Sequence, residues 1–211
     1  MLSGAIIIAL LLFIPAGSIK YSSAWLFLGI LFVPMIIAGI VLMIKNPSLL
    51  EKRLNAKEEQ SEQKLVLILS AVMFLSAFIV AGLNFRFKWH ELPLWEIIAA
   101  AVIFLFAYIL YAEVLRENEY LSRTVEVQEN QKVVDTGLYG IVRHPMYMST
   151  VLLFLTMPLV LGSIISFVII LLYIPIIVIR IRNEEKVLEE GLEGYSDYKK
   201  KVKYRLVPFI W

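Results

Sequence analysis

Five consecutive residues, Arg143-His144-Pro145-Met146-Tyr147, stand at the mouth of an apolar run in GLYGIVRHPMYMS. Pro145 suits the first position of a helix, where its missing N–H would be unpaired anyway and its φ is already helical. A helix starting there turns unpaired N–H groups and the positive end of its dipole toward Arg143 and His144. That combination can hold an anionic group, and Tyr147 adds a hydroxyl or an aromatic face. The same Arg-His pair can instead simply anchor a membrane helix among headgroups. Further along, RIRNEEKVL puts Arg180 and Glu184 four residues apart, on one face of a helix. Arg182 and Glu185 fall on neighbouring faces. A surface ion pair is one reading of this second cluster. However, Arg180 follows LLYIPIIVI, and an ionisable residue at the edge of hydrocarbon is a candidate functional group.

Other chemistries find little material. The chain has no cysteine, which removes disulfides, thiolate nucleophiles and thiolate metal sites together, and two histidines make a zinc cluster unexpected. A net charge of +2 leaves no nucleic-acid footprint. There is no G-x-G-x-x-G, so a Rossmann-type cofactor site is not expected. His90, in FRFKWHELP, reads as an interfacial residue with no partner cluster around it.

The elements that must position the two clusters are membrane helices. Of 211 residues, 60% are hydrophobic and 18% charged, and mean hydropathy is +0.78. A soluble domain carries about a quarter charged residues. Hydrophobic runs recur at 3–19, 23–44, 65–85, 94–112, 146–161 and 163–181. About 20 apolar residues span a bilayer, so the first and fifth runs are short. The first run lacks a preceding basic region and reads as a retained span rather than a signal peptide. Pro15, Pro34, Pro158 and Pro175 predict kinks. Only Gly162 and Ser163 separate the last two runs, which predicts a tight helical hairpin.

Lysine and arginine set the orientation. Five lie in residues 45–64, four in 113–145 and eight in 180–211, against Lys20, Arg86 and Lys88 on the other side. This bias predicts six crossings with both termini and the polar stretches in the cytoplasm. Trp25, Trp89, Trp95 and Trp211 lie near run ends, as interfacial anchors do. Residues 45–64 read as a mixed-charge loop or short surface helix, a solvated connector. The hairpin brings the ends of residues 113–147 and 180–211 to one membrane face. The expected fold is an all-α polytopic membrane helix bundle of about six transmembrane helices. Residues 1–112 form its N-terminal helices and residues 113–211 its catalytic region, together one membrane domain.

GLYGIVRHPMY followed by RIRNEEKVL and GYSDYKKKVKYRLVPFIW resembles the isoprenylcysteine carboxyl methyltransferase family, in its prokaryotic form. The resemblance covers roughly residues 113–211. It implies S-adenosylmethionine as methyl donor, held between the last helices and the C-terminal segment. The cofactor contacts it implies are His144, Pro145 and Tyr147 of the Arg-His-Pro-x-Tyr element, Tyr139 of the preceding G-x-Y, Gln131, Val133 and Val134 upstream, and Glu184. The family often carries histidine at the position of Gln131. Arg180 is implied to face the substrate.

The acceptor expected is a lipid-like or prenylated small molecule entering from the membrane lipids, with no nucleic acid and no metal involved. A carboxylate acceptor is already a nucleophile, and Arg180 would hold it. An amine or thiol would need Glu184 or Glu185 as base. Arg180 and Glu185 are therefore the catalytic candidates. An NADPH-dependent isoprenoid or sterol reductase shares the Arg-His-Pro-x-Tyr element and is the competing enzyme. A membrane scaffold is the competing non-enzyme.

Overall fold

The computed structural model describes residues 2–54, 61–122 and 124–211. They form α1 (Leu2–Ala16), α2 (Ser22–Lys45), α3 (Pro47–Leu54), α4 (Ser61–Phe87), α5 (Leu94–Glu117), a 3-10 turn (Gly137–Gly140), α6 (Pro145–Val160), α7 (Ile164–Ile170), α8 (Tyr173–Gly191) and α9 (Tyr195–Lys201). No strand occurs among the described residues. Among the described residues, four stretches are long and apolar enough to cross a membrane: Ser22–Lys45, Lys64–Phe87, Leu94–Glu117 and Ile164–Gly191. The shorter apolar helices are Ser3–Ala16 and Pro145–Val160. At 1.5 Å per residue, a 16-residue helix reaches about 24 Å, short of the ~30 Å hydrocarbon core.

The predicted prolines act differently from one another. Pro15, Pro34 and Pro158 sit inside continuous helices. Pro175 follows a break, because its ring would meet the carbonyl four residues back, that of Leu171. The chain turns at Leu171–Leu172 and restarts as α8, with the Ile174 N–H on the Leu171 oxygen at 3.1 Å.

Tertiary contacts divide the chain into two compact units, each drawn from segments distant in sequence. The first holds residues up to Ile37, Leu69–Tyr108 and Val151–Ile174. Its buried residues include Leu12, Phe27, Ala77, Ala81, Phe104 and Ile170. The rings of Phe27 and Phe104 meet edge-on at 5.9 Å. Gly82 allows α1 and α4 to touch, since a Cβ there would lie 2.5 Å from the Leu12 oxygen. The hairpin expected at Gly162-Ser163 is present. Gly162 takes φ +73°, a left-handed value suited to glycine, and Ser163 caps α7 by accepting from the Ser166 N–H at 3.2 Å. Ser166 in turn donates to the Ala77 oxygen at 2.8 Å. His90 is exposed, as expected, and its backbone oxygen accepts from buried Asn84 at 2.8 Å. Trp25, Trp89 and Trp95 are exposed at run ends.

The second unit holds Ala38–Ile68, Ile109–Thr150 and Pro175–Trp211. Here the reading of residues 45–64 as a solvated connector needs correction. Residues 47–54 do form a short helix, α3, but Leu49 is only 1% exposed and packs with Val114, Leu121 and Tyr139. Arg53 donates to the Ser122 oxygen at 2.9 Å and to the Tyr111 hydroxyl. Residues 55–60 of that stretch lie outside the described ones. Helix α5 also continues past the apolar run to Glu117, carrying Glu113, Arg116 and Glu117 on its last turns.

Candidate functional site

Within the second unit, a cavity of about 820 Å³, its open mouth included, is lined from both polar stretches. Tyr139 is set in its wall by the 3-10 turn. Gly137 adopts φ +51°, a left-handed value that favours glycine, with the Glu117 carboxylate packed against it. That carboxylate accepts from the Leu138 N–H at 3.0 Å. Tyr139 is then fixed at both ends: its hydroxyl accepts from Asn118 at 2.9 Å, and its backbone oxygen accepts from the Tyr198 hydroxyl at 2.7 Å. Burial pushes the Tyr139 phenol up, against the opposing pull of Asn118, so it stays protonated.

Helix α6 begins at Pro145, as predicted. The anion site expected at its start is not formed by Arg143. The Arg143 and His144 N–H groups donate to the Tyr204 and Arg205 oxygens, each at 2.9 Å. The Arg143 guanidinium turns inward too, to Glu185 at 2.8 Å and to the Val202 and Lys203 oxygens at 2.7 and 2.9 Å. Arg143 therefore clamps the C-terminal segment onto α8, with its side chain 3% exposed.

Glu185 meets the same correction. A base needs a carboxylate with room for a proton and a path to the acceptor. Glu185 Oε1 instead accepts from Arg143 Nε at 2.8 Å and faces His144 Nε2 at 3.4 Å, while Oε2 accepts from Arg205 Nε at 2.8 Å. It does not line the cavity. Two guanidinium groups on one buried carboxylate favour its ionised form and make it a structural hub.

Glu184, one residue earlier, faces the other way and does line the cavity. It accepts from the Tyr147 hydroxyl, and Arg180 Nε donates to that same hydroxyl at 2.9 Å. Arg180 and Glu184 thus converge on Tyr147 from one face of α8, and the Arg180 guanidinium lies 5.9 Å from the Tyr147 ring centre. His144 stacks on the Tyr147 ring at 5.7 Å, with Nδ1 3.9 Å from a Glu184 oxygen. The cavity therefore offers a carboxylate for a cation, aromatic faces for a ring or sulfonium, and an arginine for an anion.

Of the sequence-predicted residues, Gln131, Val133, Val134, Tyr139, His144, Tyr147, Arg180 and Glu184 line this cavity. Pro145 does not; it is buried and fixes the start of α6. The Gln131 side chain also accepts from the Gln128 N–H at 2.8 Å, closing the turn beneath it. Sequence reasoning assigned no role to Tyr195 and Tyr198, which add two more walls. Their spacing of three on a lysine-rich helix is the signal that could have marked them as an inward face. Arg205 left no such signal, because its partner Glu185 lies 20 residues away, beyond the end of α8 and the whole of α9.

Residues 95–193, just under half of the chain, match the model of the phospholipid methyltransferase family. The match runs from α5 to the end of α8, taking in the Arg143–Tyr147 cluster, Arg180 and both glutamates, and stops before α9. No curated protein matches the chain. Over residues 95–193 the chain is thus similar to the phospholipid methyltransferase family, the family of integral membrane methyltransferases that includes the isoprenylcysteine carboxyl methyltransferases.

Proposed function

We propose that the protein transfers a methyl group from S-adenosylmethionine to a lipid-like acceptor with an anionic head, an isoprenylcysteine-type carboxylate being the leading candidate. The observation that carries this reading is the Arg180–Tyr147–Glu184 chain in the wall of a cavity bounded by Tyr139 and His144. The residues fit the donor: its ammonium or sulfonium suits Glu184, and its adenine suits the aromatic and aliphatic walls. When bound, S-adenosylmethionine supplies a methyl group on a positively charged sulfur.

The chain's own residues hold, orient and exclude water. Glu184 fixes the cationic end, with Tyr147 and His144 fixing the carboxylate in turn. Gln131, Val133, Val134 and Tyr139 form the walls against which the rest of the donor rests, and Pro145 sets the helix start that carries His144 and Tyr147. Arg180 presents a planar fork that matches a carboxylate or phosphate. With Glu185 committed to Arg143, Arg205 and His144, the acceptor that fits best is one already anionic as it binds, for which alignment in a dry pocket is the main requirement.

Purified protein incubated with labelled S-adenosylmethionine and, separately, with NADPH tests the reading. Retention of the methyl donor alone supports it. Retention of NADPH would make the protein a reductase, and retention of neither would leave it a scaffold.

A further inference from the structure

Tyr195 opens α9, just after Gly194 reverses the chain with φ +81°. Its ring is accounted for by packing: it is 4% exposed and lies among Leu192, Tyr198 and Val202, with Val127, Val133 and Leu188 around them. Its hydroxyl is not accounted for. The oxygen is buried and has no hydrogen-bond partner among the described residues. Other buried tyrosines of the fold are satisfied: Tyr21 donates to the Leu161 oxygen, Tyr139 accepts from Asn118, Tyr147 donates to Glu184 and Tyr198 to the Tyr139 oxygen. A buried polar group without a partner costs stability that phenylalanine would not, so its presence calls for a partner absent from the protein itself.

The partner's place is given by the cavity. Tyr195 lines it together with Glu184, Tyr147 and His144. Asn183 Nδ2, likewise buried and unpartnered, belongs to a residue that does not line the cavity and points to no ligand. The phenol is pushed up by burial and then by the Glu185 and Glu184 carboxylates, so it remains a neutral donor and acceptor. Glu184 and Arg143 mark the charged corner of the cavity, and Leu188, Leu192 and Val133 mark its apolar side.

We propose that the Tyr195 hydroxyl is a positioning contact for the amino-acid end of S-adenosylmethionine, beside Glu184 at the charged corner of the cavity. The assignment rests on the methyl-donor reading above. In this role Tyr195 and Glu184 share one job, fixing the end of the donor remote from the adenine, so that its sulfur cannot slide along the cavity. The hydroxyl completes its hydrogen bonding only when the donor is present.

Calorimetry and thermal unfolding on the full chain in detergent, with Tyr195→Phe and Tyr198→Phe, test this. The ligands are S-adenosylmethionine, S-adenosylhomocysteine and methylthioadenosine, the last of which keeps the nucleoside and sulfur but lacks the amino-acid end. Tyr195→Phe should weaken the first two by about three- to tenfold and leave methylthioadenosine unchanged. Without ligand, its unfolding midpoint should equal or exceed that of the wild type. Tyr198→Phe loses a bond made within the protein, so its midpoint should fall even without ligand. Wild-type affinity of Tyr195→Phe for S-adenosylmethionine would overturn the assignment, as would an equal loss for methylthioadenosine or a lowered midpoint in the empty variant. Failure of the wild type to bind S-adenosylmethionine would instead overturn the methyl-donor reading.

Discussion

Glu184 and Glu185 are adjacent in sequence, yet α8 points one into the cavity and the other at Arg143, Arg205 and His144. Their side chains stand about 100° apart on a helix of 3.6 residues per turn, which is enough to separate a cavity-lining carboxylate from a structural hub. Substituting Glu185→Gln leaves two guanidinium groups without their counter-charge, one of them on a side chain 3% exposed. Breaking such a pair costs about 3–5 kcal/mol, so the variant should unfold far more easily in denaturant titrations in detergent. Glu184→Gln should leave that stability intact and weaken S-adenosylmethionine by about ten- to a hundredfold, the worth of a charge-assisted contact. The reverse pattern would exchange the two roles. Arg180 can be tested apart from both. Lysine keeps its charge and loses the fork that reaches Tyr147. Arg180→Lys should therefore lower turnover more than donor affinity, compared in the same preparation. A large loss of affinity with unchanged turnover at saturating donor would assign Arg180 to the donor instead. The sequence marked both glutamates and Arg180 as one site. The resemblance gave Glu184 to the cofactor, but nothing in the sequence marked Glu185 as a hub, because the arginines that claim it come from residues 143 and 205.

The elements were legible where one constraint dominates. A bilayer demands long apolar runs, so the helices α2, α4 and α5 lie where hydropathy puts them. Gly162-Ser163 likewise announces a turn through its own backbone chemistry, whereas Pro175, read as a kink within one run, follows a full break between α7 and α8. The packing of α3, read as a loop or short surface helix, was hidden because its composition is that of a surface: only its leucines are apolar, and of these Leu49 alone is buried against Val114, Leu121 and Tyr139. Of the walls at residues 121–135, Gln131, Val133 and Val134 came from the family resemblance alone, and the others were hidden because irregular backbone has no period to read. Because Tyr139 both packs on Leu49 and lines the cavity, α3 supports the site from outside the family-matched segment. Leu49→Ala should cost about 2–5 kcal/mol, the usual range for emptying a buried leucine site, and should weaken donor binding through Tyr139. A stability unchanged within 0.5 kcal/mol, roughly the scale of ordinary surface substitutions, would return α3 to the status of a connector.

For the whole molecule, the distribution of charge bears on which side of the membrane the chemistry takes place. Every residue lining the cavity lies in residues 118–147 or 180–198, and these belong to stretches rich in lysine and arginine. The ends of α1 and α4 that carry Lys20, Arg86 and Lys88 are poor in them. Basic residues within about 15–20 positions of a span resist translocation, and acidic ones contribute little, so the near-neutral total of +2 does not weaken the bias. We therefore expect the cavity and both termini to face the cytoplasm and residues 86–93 to face the opposite side. The short helices α1 and α6 are where this expectation is most exposed, since each must cross or stop short with only 15 or 16 residues. If α6 stopped short, α7 and α8 would have to return to the same side for Trp211 to remain cytoplasmic. A compartment-sensitive reporter fused after Trp211 and another inserted in residues 86–93 decide the matter in intact cells. Opposite signals from the two positions are expected, with the cytoplasmic one at Trp211. Identical signals would mean that the number of crossings between residue 93 and the C-terminus is even rather than odd, and would remove one of α5, α6 or the α7–α8 stretch from the set of spanning elements.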